Sequence, residues 1–384
     1  METGEEIYLD NAATSWPKPE CVYQAVDKFN RRVGASPGRG SHSRTVAAGQ
    51  MLLQTREDLA ELFNIEDSSR IVFTGNVTMA INIGLKGLLK PGDHVVTSSM
   101  EHNAVARPLY ALQEKGVEVT IVRCAPDGSL DPCYIEQAIT ERTRLVCLLH
   151  ASNLTGTIMP IDAVGEIAHR KGVLFMVDAA QSAGVLPVDV EKQKIDILAF
   201  TGHKGLLGPQ GTGGLYIRPG LEVSSFIEGG TGSLSEQVYQ PDFMPDKFES
   251  GTPNTPGIAG LGAGVAFIQK TGIDKVHRHE QELTDALIQG LKDIEGVIIY
   301  GPQDYKQRTA VVSFNIEERD CGEVSMLLDQ NYGILCRSGL HCAPLAHRTL
   351  GTLKAGACRI SPGLFNTIED IEKVVQAVYE IANS

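Results

Sequence analysis

Along the first two-thirds of the chain, short apolar runs alternate with stretches of helical period. Residues 94–97, 117–122, 144–149, 173–177 and 195–200 are mostly apolar and lead into polar or turn-forming residues. Runs of this length fit strands buried on both faces of a parallel sheet. Shorter runs at 7–9, 71–73 and 215–217 read as further strands. Between them, residues 46–63 carry apolar side chains at Val46, Leu52, Leu53, Leu59, Leu62 and Phe63, which predicts an amphipathic helix. Helices are also expected over 19–33, 79–89 and 132–139. This strand–helix–strand rhythm suits right-handed crossovers in an α/β fold with a mainly parallel sheet.

The pattern then changes twice. Residues 226–255 are rich in Gly, Pro, Ser and acids and show little periodicity. A long irregular segment inside a compact chain is usually functional or disordered. Beyond it, helices are predicted over 256–271, 273–294, 323–331 and 368–382, the last with Thr367 as N-cap, and strands over 297–300, 310–316 and 333–336. This is an α+β pattern. A length of 384 residues exceeds what one core usually accommodates. The expected division is a large domain over 15–260 and a small domain built from 1–14 and 261–384.

Composition narrows the function classes. The net charge of −13 argues against nonspecific nucleic-acid binding. No apolar run approaches the length of a membrane span, and the acidic start METGEEIYLD lacks an apolar signal region. The eight cysteines are scattered without a C-x-x-C pair, so neither a zinc site nor a disulfide scaffold is indicated, and a reducing, cytoplasmic setting fits. No metal is expected.

The candidate chemistry sits at strand ends. Ligands in open α/β sheets bind outside the carboxyl ends of the strands. The run 173–177 ends in Asp178, and the run 195–200 ends in Thr201-Gly202-His203-Lys204. Taken singly, the acid reads as a helix cap and the lysine as a solvated surface residue. Together they match a Schiff-base lysine with an acid for the ring nitrogen of pyridoxal phosphate. The strand at 71–73, a Gly-containing turn and a helix start at Asn76, Val77 and Thr78 could hold a phosphate on backbone N–H groups. GPQGTGG at 208–214 precedes a strand instead of opening a helix, so it is not a dinucleotide loop.

DAAQ at 178–181, TGHK at 201–204 and RSGLHCAP at 337–344 together resemble fold-type I pyridoxal phosphate enzymes of the class V aminotransferase group, in particular the cysteine desulfurases and selenocysteine lyase-like enzymes. The resemblance runs from YLDNAAT at 8–14 to RISPGLFNT at 359–367. It implies a seven-stranded, mainly parallel sheet in the large domain and a smaller α+β domain. It also implies that Lys204 bonds the cofactor, Asp178 pairs with its ring nitrogen and His102 of the MEH motif stacks on its ring. Gln181 and Asn153 would reach the phenolic oxygen, with the substrate carboxylate as the alternative for Asn153. Thr78, Thr201 and His203 would hold the phosphate, with backbone help from Asn76 and Val77 and with Thr252 reaching in from the neighbouring subunit of a homodimer. Ala12 and Ala13 would line the substrate pocket. His42 is a further histidine near the site in relatives, without an assigned role.

Cys342 decides the reaction. A glycine-containing loop after a strand suits a reactive thiol, and Arg337 and His341 are placed to raise its thiolate fraction. Arg337 and Arg359 are the candidates for substrate binding, the fork of Arg359 suiting an α-carboxylate. Two departures from the family pattern stand out. Met79 replaces a common Glu, and Cys358 replaces a common apolar residue before the arginine. Cys336 and Cys358 read as packing residues inside strands. The expected activity is conversion of L-cysteine to L-alanine, leaving a persulfide on Cys342 for a sulfur acceptor protein. Selenocysteine lyase or another class V lyase or aminotransferase reaction is the enzymatic alternative, with L-selenocysteine as substrate in the first case. A noncatalytic sulfur-transfer scaffold is the other.

Overall fold

The computed structural model describes residues 6–38 and 40–384. The acidic residues 1–5 and Arg39 of the glycine-rich loop lie outside them. The chain opens with β1 (Ile7–Tyr8), α1 (Glu20–Lys28) and α2 (Ser43–Phe63). The alternating half follows: β2 (Ile71–Thr74), α3 (Val77–Leu88), β3 (His94–Ser98), α4 (Asn103–Gln113), β4 (Glu118–Val122), α5 (Pro132–Ala138), β5 (Thr143–Leu149), α6 (Ile161–Lys171), β6 (Leu174–Asp178), β7 (Ile197–Thr201) and β8 (Gly213–Ile217). Its strands form one sheet of seven, in the order β2-β8-β7-β6-β5-β3-β4. The neighbours from β7 through β4 run parallel, while β8 is antiparallel to both β7 and β2. The sheet is therefore mixed, with one reversed strand.

Helices cover both faces, and this is why the strands read as unbroken apolar runs. In β5, Val146 and Leu148 enter one core while Leu145 and Cys147 enter the other, as a period of two requires. Cys147 is fully buried packing. Helices α4 and α6 were not expected from the sequence. Pro108 lies inside α4 and breaks the usual helical signature there.

The segment before α7 (Thr255–Thr271) carries no strand or helix from 226 onward. Glu249 ties it to the sheet, pairing with Arg56 at 2.8 Å and accepting from the Phe73 N–H at 2.7 Å. After α8 (Ile273–Lys292) come β9 (Val297–Tyr300), β10 (Val312–Ile316), α9 (Cys321–Tyr332), β11 (Ile334–Leu335), β12 (Arg337–Gly339), α10 (Pro344–Leu350), β13 (Ala357–Ile360) and α11 (Ile368–Ala382). Thr367 caps α11 in a full capping box with Asp370. Strands β12-β13-β10-β9 form an antiparallel sheet, and β11 pairs in parallel with β1. The single strand expected over 333–336 is thus cut short. The chain changes partners at Cys336, which sits in the break between β11 and β12 and not within a strand. A third core joins Ile7 and Leu9 to Leu283, Phe314, Leu328 and Val374.

Arg308 links the two sheets. Its fully buried guanidinium donates to the carbonyls of Thr155 (2.6 Å), Pro302 (2.8 Å), Tyr300 (2.9 Å) and Val311 (3.0 Å). Arg308→Met would take a buried donor away from the carbonyls of Thr155, Pro302 and Val311. It is expected to cost about 3 kcal/mol or more of stability, read as a lower midpoint in thermal or denaturant unfolding.

Candidate active site

Four strand ends converge at the crevice. β3 leads into Glu101 and His102, β5 into Asn153, β6 ends on Asp178, and β7 ends on Thr201 before His203 and Lys204. β3 and β5 are neighbours, although the chain goes outward from β3 to β4 before returning. A switch point of this kind leaves the loops free to part and form a cleft. Asp178 is buried, and its Oδ1 accepts the Ala180 N–H at 2.9 Å. Burial raises its pKa, opposed by that hydrogen bond and by the charge on Lys204. Burial lowers the Lys204 amine to about 8; Asp178 opposes this, while Arg359 and Arg337 push the same way as burial.

His102 caps α4, its Nδ1 accepting the Ala104 N–H at 3.0 Å. Burial, reinforced by the charges of Lys204, Arg107, Arg337 and Arg359, lowers its pKa to about 4. The ring is therefore neutral near pH 7, with its proton on Nε2. His203 is lowered to about 4 by burial and by Lys204 and Lys18, and its Nδ1 is buried without a hydrogen-bond partner. Between Thr201 and His203, a Cβ on Gly202 would lie 2.1 Å from Thr212 Oγ1, so only glycine fits this turn. The Thr201 hydroxyl donates to Thr212 O at 3.4 Å. At the start of α3 the Asn76 side chain accepts the Met79 N–H at 2.9 Å. The N–H groups of Val77 and Thr78 lie in the first turn, without intrahelical acceptors and at the positive end of the helix.

A loop that follows β12 of the small antiparallel sheet is hydrogen-bonded to the segments that carry His102 and Asn153. Gly339, His341 and Cys342 all have positive φ, at 103°, 48° and 55°. Two hydrogen bonds pin the loop, one to the start of α4 and one to the segment after β5: Asn103 N–H to Cys342 O at 2.8 Å, and Asn153 Nδ2 to His341 O at 2.7 Å. Cys342 itself is exposed and carries a free thiol. His341 donates from Nε2 to Ala357 O at 3.0 Å, which leaves its buried Nδ1 unpaired. Burial lowers its pKa to about 3, so it is neutral at pH 7. Arg337 and Arg359 face each other across β12 and β13. The buried Arg359 pairs with Asp10 at 2.5 Å and donates to Asn153 O at 2.9 Å. Its Nε is buried without a partner.

Residues 7–374 match the family model for class-V aminotransferases. The chain belongs to the class-V aminotransferase family. Among its relatives, a probable cysteine desulfurase of Methanothermobacter thermautotrophicus is 39% identical, the match covering 98% of this chain and 95% of that protein. A cysteine desulfurase of Pectobacterium atrosepticum is 34% identical over 97% of this chain and 92% of its own length. Among solved structures, the apo cysteine desulfurase of Thermococcus onnurineus superposes with a TM-score of 0.93 at 34% identity, covering 98% of this chain and 95% of that one. The cysteine desulfurase CsdA of Escherichia coli, in an S-sulfonic acid form, gives 0.88 at 30% identity over 98% and 94%.

Several of the residues expected from the class-V resemblance meet in one place. Ala12, Gln181 and Lys204 line a common cavity, and Gln181 Nε2 donates to Ala12 O at 3.0 Å. Ala13 closes a turn beside them, its N–H on Asp10 O at 3.0 Å. Thr252 stands apart in this chain. It is exposed and lines a surface hollow with Arg56 and Thr231, away from the Lys204 cavity. His42 caps α2 and accepts the Thr45 N–H. Three polar residues of the site were not foreseen. Asp10, which the sequence marks only as part of YLDNAAT at 8–14, is the ion-pair partner of Arg359. Glu101 is buried beside His102, its carboxyl taking the Ser98 hydroxyl at 2.6 Å and the Leu149 N–H at 3.1 Å. Burial and the nearby Asp178 raise its pKa, to about 8, against those hydrogen bonds. Glu280, also raised to about 8 by burial, lines the Lys204 cavity.

Proposed function

We propose that the protein is a homodimeric, pyridoxal phosphate-dependent L-cysteine desulfurase that keeps the substrate sulfur as a persulfide on Cys342 and passes it to an acceptor protein. The observation that carries this reading is the exposed Cys342 on a loop hydrogen-bonded to Asn103, at the start of α4, and to Asn153, after β5.

The residues present fit the cofactor. Asp178 is a buried acid without a bonded cation among the described residues, which suits a protonated ring nitrogen. The unpaired Nδ1 of His203, the Thr78 and Thr201 hydroxyls and the first turn of α3 suit a phosphate. His102 offers a neutral ring, and Gln181 and Asn153 offer amides. When bound, pyridoxal phosphate supplies an electron sink that weakens the bonds at an amino acid's α-carbon.

The chain's own residues supply the rest. Asp178 holds the proton on the ring nitrogen. Lys204 Nζ, with its lowered pKa, takes the α-proton. Arg359, oriented by Asp10, holds the substrate carboxylate, with Arg337 beside it. The Cys342 thiolate attacks the substrate sulfur; a sulfur–sulfur bond forms and the Cβ–S bond breaks, its electron pair staying with the substrate, which takes up a proton at Cβ, regains the α-proton from Lys204 Nζ and leaves as alanine. Thr252 serves the partner subunit's phosphate, which is why it stands apart from Lys204 in its own chain. Eight free cysteines support a reducing, cytoplasmic setting. Among the described residues no helix is long and apolar enough to cross a membrane.

Incubating the purified protein with pyridoxal phosphate and L-cysteine should release alanine in step with sulfide recovered by a thiol acceptor. Absence of alanine from cofactor-loaded protein would refute the reading. Two further outcomes are expected. Arg359→Ala should raise the KM for L-cysteine about 10- to 100-fold in steady-state kinetics, because a charged hydrogen-bonded contact of roughly 1.5–3 kcal/mol is lost. Only the neutral Lys204 amine reacts with a carbonyl, and its fraction rises with pH through about 8. Cofactor uptake by apoprotein, followed by absorbance, should therefore quicken up to about pH 8 and level off above it. Below pH 7 it should slow about tenfold per unit.

A further inference from the structure

Cys358 and Cys336 form a thiol pair that the proposed desulfurase chemistry does not use. Their sulfurs lie 3.7 Å apart, although 22 residues separate them in the chain. Cys358 lies in β13 and is fully buried. Cys336 lies in the break before β12, partly accessible, with Ser325 Oγ 3.6 Å from its sulfur. A disulfide bond is about 2.05 Å long, so the pair closes with a combined sulfur movement of about 1.7 Å. The other six cysteines form no such pair among the described residues.

The position of the pair links it to the site. Cys336 immediately precedes Arg337, and Cys358 immediately precedes Arg359. Those arginines face each other in the β12–β13 register, with Ser338 opposite Cys358. On its other side, Cys336 follows β11, which pairs with β1, and β1 leads to Asp10, the partner of Arg359. A bond between the two sulfurs would fix the backbone just ahead of both arginines.

We propose that Cys336 and Cys358 form a reversible disulfide under peroxide-class oxidants, and that this bond shifts Arg337 and Arg359 so as to weaken binding of the amino-acid carboxylate. The consequence for binding rests on the reading of Arg359 given above. The partly accessible Cys336 thiolate attacks the peroxide, breaking the O–O bond; the product is a sulfenic acid, and hydroxide leaves and is protonated to water. The Cys358 sulfur then displaces the sulfenic oxygen as a second water, forming the S–S bond. Two thiols lose two hydrogens and one peroxide is reduced. The contact between the two sulfurs lowers the pKa of Cys336 and raises that of Cys358, which with the greater accessibility of Cys336 makes it the attacking partner. A thiol reductant reverses the bond by exchange.

The test uses cofactor-loaded Cys342→Ala protein, so that oxidation at 342 does not interfere. After mild hydrogen peroxide, peptide mapping under non-reducing conditions should show a 336–358 cross-link lighter by two hydrogens. Calorimetric titration with L-alanine should then show about tenfold weaker binding, restored by dithiothreitol. The double variant with Cys358→Val should show neither change. Peroxide that oxidises the exposed Cys21 and Cys133 while leaving 336 and 358 unlinked would overturn the proposal, as would a cross-link that leaves L-alanine affinity unchanged. The mapping does not depend on desulfurase activity, so failure of the cross-link and failure of the desulfurase reading are told apart.

Discussion

Replacing Lys204 by alanine is expected to lower alanine formation from L-cysteine by roughly four orders of magnitude or more while leaving the protein folded. On the proposed reading the lysine is both covalent anchor and base, and general-base catalysis alone is worth about 10²–10⁴. Its position at the end of β7 depends on main-chain contacts that the substitution preserves. Leu207 N–H reaches Lys204 O at 2.8 Å, and the Ser15 hydroxyl reaches the same carbonyl at 3.0 Å. Burying the amine is unfavourable, as its lowered pKa shows, so the alanine variant should not melt below wild-type apoprotein. Lys204→Arg should be equally inactive, because a guanidinium keeps its proton. Steady-state kinetics beside a thermal melt check both statements. A Lys204→Ala variant with a tenth of normal turnover would remove the lysine from the centre of the account.

Cys342→Ala is expected to lower desulfuration by roughly three orders of magnitude or more and to leave amino-acid binding intact. The loop should keep its place, because both pins use main-chain carbonyls, of His341 and of Cys342 itself. The left-handed conformation at 342 is already tolerated by a side chain with a Cβ, so alanine adds no new strain. Cofactor content and L-alanine affinity should match wild type within about twofold, in contrast to Arg359→Ala, where affinity fails. Selenocysteine cleavage that survives in the Cys342→Ala variant while cysteine desulfuration is lost would instead favour a lyase.

The strand ends were legible in the sequence because each is a local event. An apolar run stops, and a polar residue or a glycine turn follows, as at Asp178 and at Thr201–Lys204. The parallel core also declared itself, since both faces of each strand are covered. The reversed direction of β8 did not, because residues 213–217 read the same whichever way the strand runs. Helix α4 was hidden by Pro108, and the break at Cys336 depends on partners found only in three dimensions. The Asp10–Arg359 pair spans 349 residues, a separation that no local pattern reports. Glu101 stood beside a recognised histidine, but only packing shows it to be fully buried. Thr252 was expected to act across a subunit boundary; within its own chain it lines a surface hollow away from Lys204.

The most direct test of the central claim is the intact mass of cofactor-loaded protein after brief exposure to L-cysteine, with Cys342→Ala measured in parallel. The account requires the wild type to gain one sulfur atom, removable by reductant and mapping to Cys342, with alanine released and the variant unchanged. Alanine release with no sulfur on Cys342, or the same sulfur gain in the variant, would contradict it.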